Sequence, residues 1–196
     1  MVLKIVKPEI RIIGIDDSPF KKKSKDKVLV IGVIFRAGKW LEGVLSTKVN
    51  VDGRDATRKI AEMIRKSKHY GQLQVIMLNG IAVAGFNVID IELLSKKTRL
   101  PVIVVMRKKP KMDKIRKALE YFEDGNKRLE TIKRAGSIFS CKIKGKNIYF
   151  QVYGMDKHAA EKVIKLSSTH SLVPEPIRIS HMIGSGIVLG ETKGRV

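Results

Sequence analysis

Two short runs, Val75-Ile76-Met77-Leu78 and Pro101 to Met106, constrain this chain more than any other feature of it. Neither contains a polar side chain. Apolar stretches of that length, bounded by turn residues, are strands covered on both faces rather than surface strands that alternate. Between them, Asp90 to Lys97 carries helical spacing. A buried strand, a helix and another buried strand require a sheet with helices packed against it on both sides.

The flanking segments extend this pattern. Ile10 to Ile15 is an apolar run ending in Asp16-Asp17-Ser18-Pro19, Val28 to Phe35 is a second, and Trp40 to Val51 alternates. These three predict an antiparallel meander with a turn at Ala37-Gly38. Asp55-Ala56-Thr57-Arg58 opens a helix whose apolar stripe, Ile60, Ala61, Met63 and Ile64, runs up to His69-Tyr70-Gly71. Met112 to Ala135 is polar and helical, with a break at Asp124-Gly125. Ile138 to Ile143 and Ile148 to Val152 read as a hairpin across Lys144-Gly145-Lys146. Lys157 to Leu166 and Glu175 to Leu189 close the chain as helices, the latter opened by Pro174-Glu175-Pro176. The expectation is one α/β domain over residues 1–196, a three-layer mixed β-sheet with helices on both faces.

One stretch departs from this regularity. In QVIMLNGIAVAGFNVID, Gln74 to Asp90, the strand ends in Asn79-Gly80, a hairpin signal, yet no alternating strand follows. Ile81 to Asn87 reads as an apolar, Gly-punctuated loop and Val88 to Leu94 as helical. Ligands of open α/β sheets collect outside the strand tips. If the first and fourth strands are parallel neighbours, Asp16 and Asn79 project from adjacent tips, as oxygen ligands of a hard cation do. An Asp before Ser-Pro is equally ordinary turn chemistry, and both readings stand at this point.

Charge narrows the partner. Forty Lys and Arg against nineteen Asp and Glu leave +21 on 196 residues, a field that favours polyanions, with nucleic acid first among them. A merely solvated Lys-rich surface is the alternative. The basic clusters are Lys21 to Lys27, Arg107 to Lys111 and Lys142 to Lys146. The second, with Arg107, Lys108 and Lys109 beside a strand end, is the expected phosphate contact. The single Cys141 excludes an internal disulfide and reads as a buried small hydrophobe in a reducing compartment. Met1 to Arg11 is too short and too often broken for a signal peptide, and no apolar run is long enough to cross a bilayer. The expected address is cytoplasmic, with no membrane partner. His170 and His181 have no Cys at zinc-like spacing, and Gly184-Ser185-Gly186 follows no strand, which sets aside a structural zinc and a dinucleotide fingerprint.

Gly14-Ile15-Asp16 with Ser18-Pro19, then Leu78-Asn79-Gly80-Ile81-Ala82, then Leu100-Pro101-Val102-Ile103-Val104-Val105-Met106-Arg107, then Pro174-Glu175-Pro176-Ile177-Arg178-Ile179-Ser180-His181 resemble, in that order, endonuclease V, and more closely an uncharacterised archaeal family related to it. The resemblance implies a ribonuclease H-like fold and a magnesium-dependent hydrolase that cuts a nucleic-acid strand near deaminated adenine. It implies three catalytic and metal-binding positions: Asp16, Asp55 (less well Asp52) at the opening of the first helix, and Asn79 where the enzymes have Asp. Asp17 and Asp52 are accessory candidates. Gly80 and Gly85 fall in a loop resembling one that faces substrate. Asp156 and His158, after Gly154, stand near where the family has polar residues by its site, although a plain helix N-cap at Asp156 reads equally well.

The departures carry physical consequences. Asn79 supplies a neutral oxygen in place of a carboxylate, and even changes beyond the ligands themselves commonly cost metal sites about 10- to 100-fold. The base-parting wedge expected after the third strand is missing from Ser46-Thr47-Lys48-Val49-Asn50, and the Lys expected at the end of the fifth strand is Arg107, which can still grip phosphate bidentately. Two expectations follow: a nuclease with a weakened magnesium site acting on modified or structured nucleic acid, or a non-catalytic nucleic-acid-binding module that kept the nuclease fold.

Overall fold

The computed structural model of the chain describes residues 6–21 and 27–192. Residues 1–5, 22–26 and 193–196, with most of the Lys21 to Lys27 cluster, lie outside the described residues.

The meander forms as the alternation predicts. Strands β1 (Arg11–Asp17), β2 (Lys27–Arg36) and β3 (Trp40–Asn50) pair antiparallel. On its other side β1 pairs parallel with β4 (Val75–Asn79), Ile15 facing Leu78. Helix α1 (Ala56–Arg65) makes the crossover between β3 and β4.

After β4 the hairpin signal proves partly real. Asn79-Gly80 is not the turn, but Ala82–Val83 (β5) and Asn87–Val88 (β6) form a small antiparallel ribbon across Ala84 and Gly85, whose φ values are +50° and +88°. The expected loop is therefore a ribbon, too short to show period-two alternation. Helix α2 (Ile91–Thr98) begins only after it, capped by Asp90, whose side chain accepts from the Leu93 N–H.

Strand β7 (Val102–Met106) pairs parallel with β4, and the polar helical region resolves into α3 (Met112–Leu119) and α4 (Gly125–Arg134). The hairpin of β8 (Phe139–Ile143) and β9 (Lys146–Tyr153) completes a seven-stranded mixed sheet of order β3-β2-β1-β4-β7-β9-β8. Helices α5 (Lys157–Ser167) and α6 (Glu175–Leu189) follow.

The two apolar runs that open the argument are the central strands β4 and β7, buried at every position except the last. Their alternate side chains feed two cores. Ile13, Ile15, Ile76, Leu78, Val102 and Val104 pack with α1 and α2; Ile12, Val75, Met77, Ile103 and Val105 pack with α5 and α6. Each such side chain contributes about 1.5–3 kcal/mol over its exposed state, so the middle of the sheet is the stiffest part of the molecule and its strand tips are fixed points. Cys141 is buried, as expected. Among the described residues no helix is long and apolar enough to cross a membrane.

Candidate functional site

Because β1, β4 and β7 run parallel, their C-terminal tips share one end of the sheet. Asp16 and Asn79 follow the paired residues Ile15 and Leu78, so they occupy neighbouring tips, and by alternation both point to the α6 face. Asp16 is only 3% exposed. Burying a carboxylate costs several kcal/mol unless it is bonded, and Asp16 is bonded twice. Its Oδ1 accepts from the Asp17 N–H at 3.0 Å, and its Oδ2 lies 2.9 Å from Nδ1 of His181 on α6. With the carboxylate ionised, Nδ1 carries the proton and donates. The hydrogen bond with Asp16 holds the imidazole pKa above its ordinary value, against partial burial, with the charges of Asp16 and Asp17 adding to the rise.

Two glycines bring α6 this close. A Cβ on Gly14 would collide with the backbone of Pro176, and one on Gly184 would lie 2.6 Å from Oγ of Ser18. Pro176, Ser180 and Gly184 form one i, i+4 ridge pressed along β1, and His181 is seated beside it over Asp16. Sequence reasoning quoted His181 within a motif but gave it no role. Its place on the edge of this small-residue ridge, one residue from the buried Ser180, is the signal that could have found it.

On the opposite face the second carboxylate of the pair, Asp17, accepts from the Ala84 N–H at 2.7 Å. Burial, and next the Asp16 carboxylate, push its pKa up to about 6. The ribbon continues the connection: the Asp52 N–H donates to the Ala84 carbonyl, and the Phe86 N–H donates to Oδ1 of Asp52 at 2.7 Å. Gly85 is required here, since a Cβ would overlap the Asp52 carboxylate. Asp52 itself holds φ +50°. Asp55 opens α1 without capping it. Its Oδ1 accepts from Asn87 Nδ2 at 2.7 Å and from the Asn50 N–H, and its Oδ2 accepts from Asn50 Nδ2. Asn87 in turn accepts from the Ala56 N–H, supplying the cap that Asp55 does not.

Arg128 of α4 locks this layer. Its guanidinium donates to the carbonyls of Asp52 (2.8 Å), Gly53 (3.2 Å) and Phe86 (2.6 Å), and Nε pairs with Asp124 at 2.8 Å. Arg54 pairs with the other oxygen of Asp124 at 2.6 Å. Burial works to raise the Asp124 pKa, but these hydrogen bonds and charges hold it below its ordinary value. Apart from the i, i+4 pair of Arg128 with Asp124, neither Arg128 nor Asn87 carries a local signal, because their other partners lie more than thirty residues away.

The structure thus brings Asp16, Asn79, Asp17, Asp52 and Asp55 to one end of the sheet but divides them between its faces: Asp16 and Asn79 with His181, and Asp17, Asp52 and Asp55 around the ribbon. Among the described residues no three His, Cys, Asp or Glu groups approach closely enough to hold a metal by themselves. Gly80, at φ +82°, turns the chain away just beyond Asn79. Arg107, Lys108 and Lys109 leave the tip of β7 at the same end, next to Asn79, whose partner in the sheet is Val105. Asp156 and His158 do not belong to the site. Strand β9 runs antiparallel to β7, so they emerge at the far end of the sheet, where Asp156 caps α5 by accepting from the His158 and Ala159 N–H groups. The Lys142 to Lys146 turn is tied elsewhere, through the bond Lys144 donates to the Thr169 carbonyl.

The Asp16 corner offers one carboxylate, an imidazole with Nε2 on its far side, and the amide of Asn79, which makes no side-chain hydrogen bond among the described residues. That donor set suits a hard cation or a phosphate.

The profile of the endonuclease dU family matches residues 8–188. A UPF0215 protein of Methanothermobacter thermautotrophicus is 48% identical over 190 residues, covering 96% of this chain and 93% of that one. Among solved structures, a protein of unknown function from Archaeoglobus fulgidus superposes with a TM-score of 0.82 at 39% identity, covering 91% of this chain and 98% of that one. Endonuclease V of Ciona intestinalis, in complex with DNA containing an inosine followed by a ribo-adenosine, superposes with a TM-score of 0.58 at 16% identity, covering 87% and 82%.

Proposed function

The chain belongs to the endonuclease dU family, an archaeal family related to endonuclease V with its ribonuclease H-like fold, and from that premise we propose that the Asp16 corner hydrolyses a phosphodiester in a nucleic-acid strand carrying a modified base. The observation that carries this reading is the buried Asp16 carboxylate held by His181 beside the amide of Asn79, which is unbonded among the described residues. A buried carboxylate in contact with a half-buried imidazole at a strand tip costs stability that a purely structural corner has no reason to spend.

These donors fit magnesium, which takes one or two protein carboxylates and completes its shell with waters and substrate phosphates. Asp16 is the one carboxylate and Asn79 an oxygen ligand; Asp55, with both oxygens accepting from Asn50 and Asn87, is a support for α1. When bound, the cation supplies charge against the phosphate and activates water. The protein groups do the rest. Asp16 orients the imidazole of His181 and favours its charged form, leaving Nε2 to give or take a proton at the scissile phosphate. Lys108 and Lys109 hold the strand through its phosphates. The deficit of charge at Asn79 is offset by the phosphate itself, which makes metal binding depend on substrate.

The test is nicking of strands containing dU, after the family's name, or inosine, as in the Ciona complex, with and without magnesium. Wild type should cut only with the cation, Asp16→Ala should lose about 100-fold or more, and Asn79→Asp should gain at low magnesium. Cutting that survives Asp16→Ala overturns the assignment. The second reading, a binding module, is favoured by Asn79 and by the split of the carboxylates across the sheet. It expects binding without cleavage and no gain from Asn79→Asp.

A further inference from the structure

Beyond the strand tips, basic residues are concentrated along α1. Three adjoining concavities border this helix, with volumes of about 250, 420 and 400 Å³. The first starts at Gly53 and Arg54, beside Asp55 at the edge of the site, and includes Arg58 and Lys127. The second shares Arg58 and adds Arg65, Lys66 and Lys97. The third shares Lys66 on the β3 side of the helix. Arg54 is engaged by Asp124 and Arg58 by Glu62, whereas Arg65, Lys66, Lys97 and Lys127 form no close ion pair among the described residues, Lys66 only lying near enough to Glu62 to help lower its pKa.

This is not a scatter of surface lysines. Charges from α1, α2 and α4 line three concavities that share Arg58, Glu62 and Lys66, and the first begins beside Asp55, at the same end of the sheet as Asp16 but on its opposite face. Helix α1 has ten residues and so spans about 15 Å, the length over which one strand of a duplex presents roughly four phosphates at about 3.4 Å each.

We propose that this groove is a second nucleic-acid surface, which grips the sugar-phosphate backbone of a duplex flanking the position held at Asp16. The proposal rests on the reading of that corner as a nucleic-acid site and adds to it a direction for the substrate: away from the strand tips, along the outer side of α1. Its contacts are to phosphates, so it adds affinity without sequence preference.

The experiment compares two triple variants that remove the same charge. Arg65→Ala, Lys66→Ala and Lys97→Ala empty the groove, while Lys142→Ala, Lys146→Ala and Lys162→Ala remove three exposed lysines from β8, β9 and α5, away from α1. All six side chains are exposed, so both variants should fold. Affinity for a 30-base-pair duplex is measured against salt between about 50 and 200 mM, and the slope of log K against log salt should fall by about 2 to 3 for the groove variant and by less than 1 for the control. Magnesium-dependent nicking of a single-stranded oligonucleotide too short to leave the corner should be unchanged in both. Equal slopes in the two variants, or a groove variant that matches wild type, overturn the groove alone. A wild type that binds no oligonucleotide overturns the corner and the groove together. A groove variant that loses binding to anionic vesicles but keeps the duplex slope overturns it in favour of a lipid surface.

Discussion

At the scale of single residues, the closeness of α6 to β1 has a cost that can be measured. The hydroxyls of Ser18 and Ser185 are buried under this contact with no hydrogen-bond partner among the described residues. A desolvated, unbonded hydroxyl costs about 1–3 kcal/mol, and alanine is the better helix residue at position 185. Ser185→Ala should therefore raise stability by about 1 kcal/mol, read as a higher urea midpoint at unchanged slope. A lower midpoint would mean that the hydroxyl has a partner, such as an ordered water, and that the contact is not strained. The residues of the corner were unequally legible. Asp16 and Asn79 could be read because each ends an apolar run, and strand tips are fixed by the burial of what precedes them. For His181 the neighbouring small-residue ridge marks a closely packed helix edge but not the partner, which lies 165 residues away. Asp156 shows the reverse error: a polar residue after a strand and before a helix has the same local appearance at either end of a sheet, and only the antiparallel direction of β9 removes it from the site.

Among elements, the central strands followed from their unbroken apolar runs and the long helices from periodicity, and Glu175–Leu189 opens where Pro174 and Pro176 imply and ends at Gly190. The ribbon of β5 and β6 did not, because two residues per strand cannot display a period. Its position comes from tertiary bonds to Asp17, Asp52 and Arg128. Arg128 and Asp124 together make α4 a clamp on the loops that carry Asp52 and Gly53, and the clamp has a pH signature. Asp124 is held below its ordinary pKa when folded, so its contribution is complete above the unfolded value, about 4, and is lost as pH falls through the lower folded value. The melting temperature of wild type should fall as the pH drops below about 4, and Asp124→Asn should start lower and show a shallower acid limb. Parallel curves for the two proteins would place the acid sensitivity elsewhere, for example at Glu42, whose pKa is also lowered: burial raises it, but the bonds from Arg11 and Arg36 outweigh that.

For the whole molecule, +21 of net charge draws any polyanion to the surface but specifies neither a cleavage position nor a chemistry. In the proposed reading those belong to the tips of β1, β4 and β7, where the buried Asp16 carboxylate lies at the same end of the sheet as Lys108 and Lys109. That assignment requires a cation to be held there between Asp16 and Asn79 once a phosphate supplies the charge that Asn79 lacks. The direct measurement is anomalous scattering from crystals of the protein with an uncleaved oligonucleotide, soaked in manganese as a magnesium substitute. A peak in contact with the Asp16 carboxylate and the Asn79 amide oxygen is the predicted result. A strand ordered across the tips with no cation at Asp16, or a peak seated instead between Asp52 and Asp55, would contradict it.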